Sequence, residues 1–161
     1  MRRKHLLIII TLLISLSSYS LNAQTKLKNN AFEAGEEITY DLYYKYGILN
    51  MRGGKATINT ETTSYEGKDA YKLTLHASSR GLVGSLFSVD DTLTSYMDKN
   101  LVPLLFVKGA DELGDYTRER HIYTYENGKT SIRTIRHKNG EFRCDEIITT
   151  NKCTYDVASI L

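Results

Sequence analysis

With 161 residues, the chain is long enough for one domain with a single hydrophobic core. It carries 21 Lys and Arg against 19 Asp and Glu, a formal charge of +2, and Arg2, Arg3 and Lys4 supply three of the positive charges. Without those three the charge is −1, and so neutral a remainder gives no electrostatic ground for nucleic acid or anionic lipid as a partner.

In chain order, residues 1–23 read as a secretion signal. Arg2, Arg3 and Lys4 precede an apolar run from Leu6 to Leu16, which is shorter than the ~20 residues a permanent membrane helix needs. Ser17, Ser18 and Ser20 break the run, and Asn22-Ala23-Gln24 places a small residue at the cut. An uncleaved anchor is the alternative, and no cysteine near the cut offers a lipid attachment. The signal implies a periplasmic or otherwise exported protein with no permanent membrane span after cleavage. Residues 24–31 form a polar, flexible lead-in, and residues 32–161 the β-rich domain.

The domain alternates with the period of 2 that marks half-buried strands. Ile38, Tyr40, Leu42 and Tyr44 share one face of the first. Gly53-Gly54 separates it from a second over 55–63, in which Ala56 and Ile58 alternate with polar residues. After the turn Glu66-Gly67-Lys68, Tyr71, Leu73, Leu75 and Ala77 line one face of a third. Further strands are predicted over 91–98, 104–107 (opened by Pro103, the only proline), 116–125, 130–136 and 141–148. Asn127-Gly128 and Asn139-Gly140 supply the positive φ angles of tight hairpins. The fold class is an all-β antiparallel meander forming a strongly curved sheet or half-barrel. One short helical turn interrupts it near 80–88, where Leu82, Val83, Leu86 and Phe87 recur at helical spacing. That turn reads either as a lid over an apolar cavity or, by packing alone, as a plug that completes the core. The last residues, Thr154 to Leu161, become apolar, which reads as a domain truncated before its remaining strands.

Chemical signatures are weak. His76, His121 and His137 are isolated, and no spacing predicts a metal site or cofactor. No serine lies in a nucleophile context, and Glu36-Glu37, Asp90-Asp91 and Asp111-Glu112 are strand neighbours that point to opposite faces. Catalytic residues are therefore not predicted. Tyr116-Thr117-Arg118-Glu119-Arg120-His121 reads as a glycan or peptide stripe, or as a solvated strand with cross-strand ion pairs. In an oxidising compartment Cys144 and Cys153 can pair across a turn at 149–152; two free thiols are the alternative.

Several of these segments resemble one exported bacterial family, domain of unknown function 3108. Phe32-Glu33-Ala34-Gly35-Glu36 followed by Ile38-Thr39-Tyr40-Asp41 is similar to its opening, and a glycine before the second strand matches Gly53 or Gly54. Asp91, Ser95 and Asp98, with Pro103 after them, resemble its middle segment. Asp156 and Ser159, in Tyr155-Asp156-Val157-Ala158-Ser159, look like its Asp-x-x-Ser element. The resemblance covers residues 32–161. It implies a bacterial envelope location and a curved antiparallel sheet, and no activity.

The functional expectation is a non-catalytic module that binds a lipid or other apolar or amphipathic envelope component, or a protein partner. Tyr40, Leu42, Tyr44, Leu73, Leu75, Leu82, Leu86 and Phe87 are the candidate lining residues. The alternatives are a structural or assembly protein with a filled core, and an envelope hydrolase.

Overall fold

The alternating segments become strands of one sheet. The structure, a computed structural model, describes residues 25–86 and 88–160; the expected signal at 1–23 and the candidate lining residue Phe87 lie outside the described residues. The elements are β1 (Glu37–Tyr46), β2 (Leu49–Tyr65), β3 (Lys68–Ser79), α1 (Gly81–Leu86), β4 (Val89–Met97), β5 (Pro103–Glu112), β6 (Asp115–Glu126), β7 (Lys129–Lys138) and β8 (Glu141–Thr150). Each strand pairs antiparallel with the next, in the order β1 to β8. The sheet is curved and open, with β1 and β8 as its edges.

Four hairpins turn through two consecutive left-handed residues: Glu66-Gly67, Leu113-Gly114, Asn127-Gly128 and Asn139-Gly140. That backbone matches the twist of the flanking strands. Leu113, at φ +57° and well exposed, is the residue least suited to it, since its Cβ crowds the backbone there. Leu113→Asn is expected to stabilise the protein by about 1 kcal/mol, because asparagine tolerates this conformation. A urea titration checks it through a raised midpoint with unchanged slope.

Two local expectations are corrected. Gly53-Gly54 does not separate strands, because β2 begins at Leu49 and runs through both glycines. The register shift opposite Leu42/Tyr43 makes Gly53 the extra residue of a β-bulge. At the other end, the turn expected at 149–152 does not bring the cysteines together: β8 continues to Thr150, and Cys144 and Cys153 are free thiols. Six strand residues carry the chain ~20 Å from Cys144, and the next three recover only ~10 Å. A disulfide needs Cα atoms within about 7 Å.

The register assigns side chains to faces. Leu73, Met97, Phe106 and Tyr123 are buried on the inner face and form the core with Ala158. Phe32, Ile58, Tyr71, Leu93, Tyr125 and Ile132 pack around them. Two segments outside the sheet cover this end of the inner face. The lead-in, with no regular structure of its own, bonds Leu27 N to Asn100 O at 2.9 Å and brings Phe32 edge-on to Tyr71, ring centroids 5.2 Å apart. The segment after β8 contributes Ala158, which is fully buried.

Candidate functional site

Each covering segment is held by a clasp. In the first, Gly35 adopts φ +98°, which a side chain would strain, and donates its N–H to Thr60 O at 2.7 Å. Thr60 N–H donates to Glu36 O at 3.0 Å, and Thr60 Oγ1 to Glu33 O at 2.9 Å. Glu36 turns its own carboxylate back onto Glu33 N, 3.0 Å away. In the second, Ser95 Oγ donates to Asp156 Oδ2 at 2.8 Å inside the protein. Asp156 Oδ1 accepts the N–H groups of Ala158 (3.0 Å) and Ser159 (2.8 Å), and Ser159 Oγ donates to Asp156 O. Gly35, Glu36, Ser95, Asp156 and Ser159 thus serve the architecture, closing one end of the inner face.

Among the described residues no segment covers the other end, and its register divides it in two. Across β1 to β4 run Ile38, Ile58, Leu75 and Leu93 in one line, with Tyr40, Ala56 and Ala77 beside them. The same line continues through Lys108, Glu119 and Arg136 on β5, β6 and β7. Ile38, Tyr40 and Leu42 keep 44, 49 and 45% of their surface exposed, although they occupy positions that a filled core would bury. Below them a cleft of about 290 Å³ is lined by Leu42, Tyr44, Gly53, Ala77, Val83 and Val89, among others. A smaller space of about 90 Å³ lies between Phe32, Ile38, Tyr40 and Leu73.

The candidate lining residues therefore separate. Tyr40, Leu42, Tyr44 and the half-buried Leu75 border the open apolar end, while Leu73 belongs to the core. Helix α1 does not lay its apolar side chains on one patch. Val83 sits over Gly53, within 3.5–3.6 Å of where a Cβ would stand, and Gly84 approaches the Ser79 backbone. This seats the 83/84 side of the turn on the sheet, and Leu82 and Leu86, four residues apart on another side, are 74 and 71% exposed.

The charged half is a wide cleft of about 700 Å³ containing Lys108, Glu112, Asp115, Glu119, Arg136, Lys138 and Arg143. Glu119 is its most enclosed group. It accepts from His121 Nε2 at 2.5 Å and from Arg136, and Lys138 pairs with Asp115 at 2.8 Å. Burial pulls the Glu119 carboxyl upward, but the hydrogen bonds and charges of His121 and Arg136 outweigh it and hold the group below its ordinary range. Among the described residues His121 hydrogen-bonds only Glu119, and no hydroxyl or thiol meets its ring. No three His, Cys, Asp or Glu side chains converge there as metal ligands, again among the described residues.

Asp91 marks the boundary between the halves, opposite Ala77 and Ala110. Among the described residues its buried Oδ1 has no hydrogen-bond partner; burial is the main cause that raises its pKa, with Lys108 and a backbone hydrogen bond from Asp111 opposing. The two carboxylates give opposite pH signatures. A depressed folded pKa, as at Glu119, stabilises above the unfolded value near ~4.3 and loses that contribution as pH falls through the folded value. A raised one, as at Asp91, makes ionisation costly to the fold. Asp91→Asn should stabilise the free protein at neutral pH by about 1 kcal/mol, whereas Glu119→Gln should cost about 2 kcal/mol there and flatten the loss on the acid side. Thermal unfolding of both variants from neutral pH into acid checks the pair.

Lys108 and Arg136 were the site residues least visible in the sequence. Continuing the period-2 phase of Phe106 past the apolar run would have placed Lys108 on the inner face. A family model described as a protein of unknown function, DUF3108, matches residues 39–161, and the chain belongs to that family. Neither a curated protein nor a solved structure matches the chain significantly.

Proposed function

We propose that this is an exported, non-catalytic binding module whose open inner face holds an elongated amphipathic envelope molecule. The apolar part of the ligand lies along β1 to β4, and its polar end meets Lys108, Glu119 and Arg136. One observation carries the reading: a single line of the register passes from Ile38, Ile58, Leu75 and Leu93 to Lys108, Glu119 and Arg136, bordering the end of the sheet that no described segment covers. Ile38, Tyr40 and Leu42, partly exposed on the same face as these charges, suit a ligand with the same division. At the boundary, Asp91 Oδ1, which has no hydrogen-bond partner among the described residues, offers an acceptor for a hydroxyl or amine of that ligand.

Organic extraction of the purified protein followed by mass spectrometry should recover a bound amphiphile. Titration with anilinonaphthalene sulfonate should saturate, and Leu42→Asp and Lys108→Glu should each weaken it about tenfold, the worth of one buried leucine or one close charge. An empty extract with no saturable binding would overturn the proposal in favour of a structural module.

A further inference from the structure

We infer that the outer face of β6 and β7 carries a second site, for a tetrahedral oxyanion of the phosphate class, built from Arg118, Arg120 and His137. It is independent of the inner face. Strand alternation splits the segment Tyr116 to His121: Glu119 and His121 turn inward to the pairing with Arg136, while Tyr116, Arg118 and Arg120 turn outward. The cross-strand ion pairs expected of this segment therefore account for only half of it. On β6 to β8, Arg133, Arg136 and Arg143 are each paired with a carboxylate. Arg118 and Arg120 have no such partner among the described residues.

Their register brings them to one spot. Arg118 stands opposite His137 and Arg120 opposite Ile135, and these four residues line a cleft of about 140 Å³. On the other flank Arg118 faces Gly109, where the absent side chain makes room for the Tyr116 hydroxyl, 3.0 Å from the position of a Cβ. Two guanidinium forks on one strand face and an imidazole line this one cleft, and they offer the kind of donors a phosphate requires. The nearest outward carboxylate on β8, Asp145, is occupied by both nitrogens of a bidentate Arg133. The near-zero net charge of the chain does not count against a local site of this kind, because affinity at close range follows the nearby unpaired charges. The same chemistry is offered by a soluble phosphorylated molecule and by a phospholipid headgroup.

The test uses the full chain, with inorganic phosphate as probe at constant ionic strength in chloride. The Arg118 and Arg120 Nε–H resonances, assigned through the single Arg→Gln variants, should shift and saturate. Arg118→Gln with Arg120→Gln should weaken binding at least about tenfold, and the Lys replacements should retain part of it. Arg80→Gln, at an exposed arginine elsewhere, should change nothing. Sedimentation with phosphatidylcholine vesicles, with and without phosphatidylglycerol, distinguishes the sources. Pelleting with the anionic vesicles alone, lost in the double variant, assigns the headgroup; phosphate binding without pelleting assigns a soluble ligand. Shifts that do not saturate, or that persist in the double variant, overturn the site. Anilinonaphthalene sulfonate binding to the inner face should be equal in wild type and double variant, so either proposal can fail without the other.

Discussion

Asp156→Ala is expected to lower stability by about 3 kcal/mol, read as a fall in the urea midpoint, because it removes three hydrogen bonds from a buried group at once. Asp156 is 5% exposed and Ser95 is inaccessible, so neither can recruit water when its partner is lost. Without the carboxylate, Ser95 Oγ keeps an unpaired hydroxyl in the core. The N–H groups of Ala158 and Ser159 lose their acceptor too, and the turn that carries Ala158 is no longer fixed. Ala158 closes the core over Met97, Phe106 and Tyr123, so the loss extends to packing. Asp156→Asn should recover much of it, since Oδ1 can still accept both amides and the Ser95 hydroxyl can rotate to accept from the new amide. Ser95→Ala should fall between the two, about 1–2 kcal/mol, because it deletes one bond and leaves one oxygen unsatisfied. A double-mutant cycle on Ser95 and Asp156 separates their mutual bond from the two amide bonds. Coupling near zero would show that the clasp is held by the turn alone.

These clasps bear on how far the fold could be read before the structure. The strands were legible because alternation is local: Ile38 to Leu42, Tyr71 to Ala77 and the two Asn-Gly turns each announce themselves within a few residues. Leu113-Gly114 was not, because a leucine in a left-handed turn contradicts the preference that makes turns readable. The segment 91–98 and the Asp-x-x-Ser element were visible as separate motifs. That Ser95 bonds Asp156, 61 residues away, depends on the chain passing β8 and returning across the sheet end, which no window of sequence contains. The division of the inner face was hidden for the same reason. Ile38 and Arg136 lie on one line only through six successive registers, and a slip of one residue in any of them would reverse a whole strand. Cys144 and Cys153 show the converse error: sequence proximity suggested a bridge, and strand geometry separates them.

The glycine pair gives the second large effect and the sharpest contrast. Gly54→Ala is expected to cost about 3 kcal/mol, whereas Gly53→Ala, one residue earlier, should cost less than about 1 kcal/mol. A Cβ on Gly54 would lie 2.6 Å from Ser78 O, 3.4 Å from Ser78 C and 3.5 Å from Ser79 Cα, all backbone of the paired strand. Backbone cannot rotate aside, so β2 and β3 would have to part where Gly54 faces Ser79. A Cβ on Gly53 meets only the Val83 methyl groups at 3.5–3.6 Å and Tyr44 Cβ at 3.7 Å, which is ordinary contact. Both glycines line the 290 Å³ cleft, so the pair also tests the binding reading. In Gly53→Ala the sheet should remain intact while the added methyl narrows the space beside Val83, and amphiphile affinity should fall with the urea midpoint nearly unchanged. Gly54→Ala should lose both together. Equal midpoints for the two variants would mean that β2 and β3 are not pressed together at Gly54, and the need for glycine at that position would lose its steric explanation.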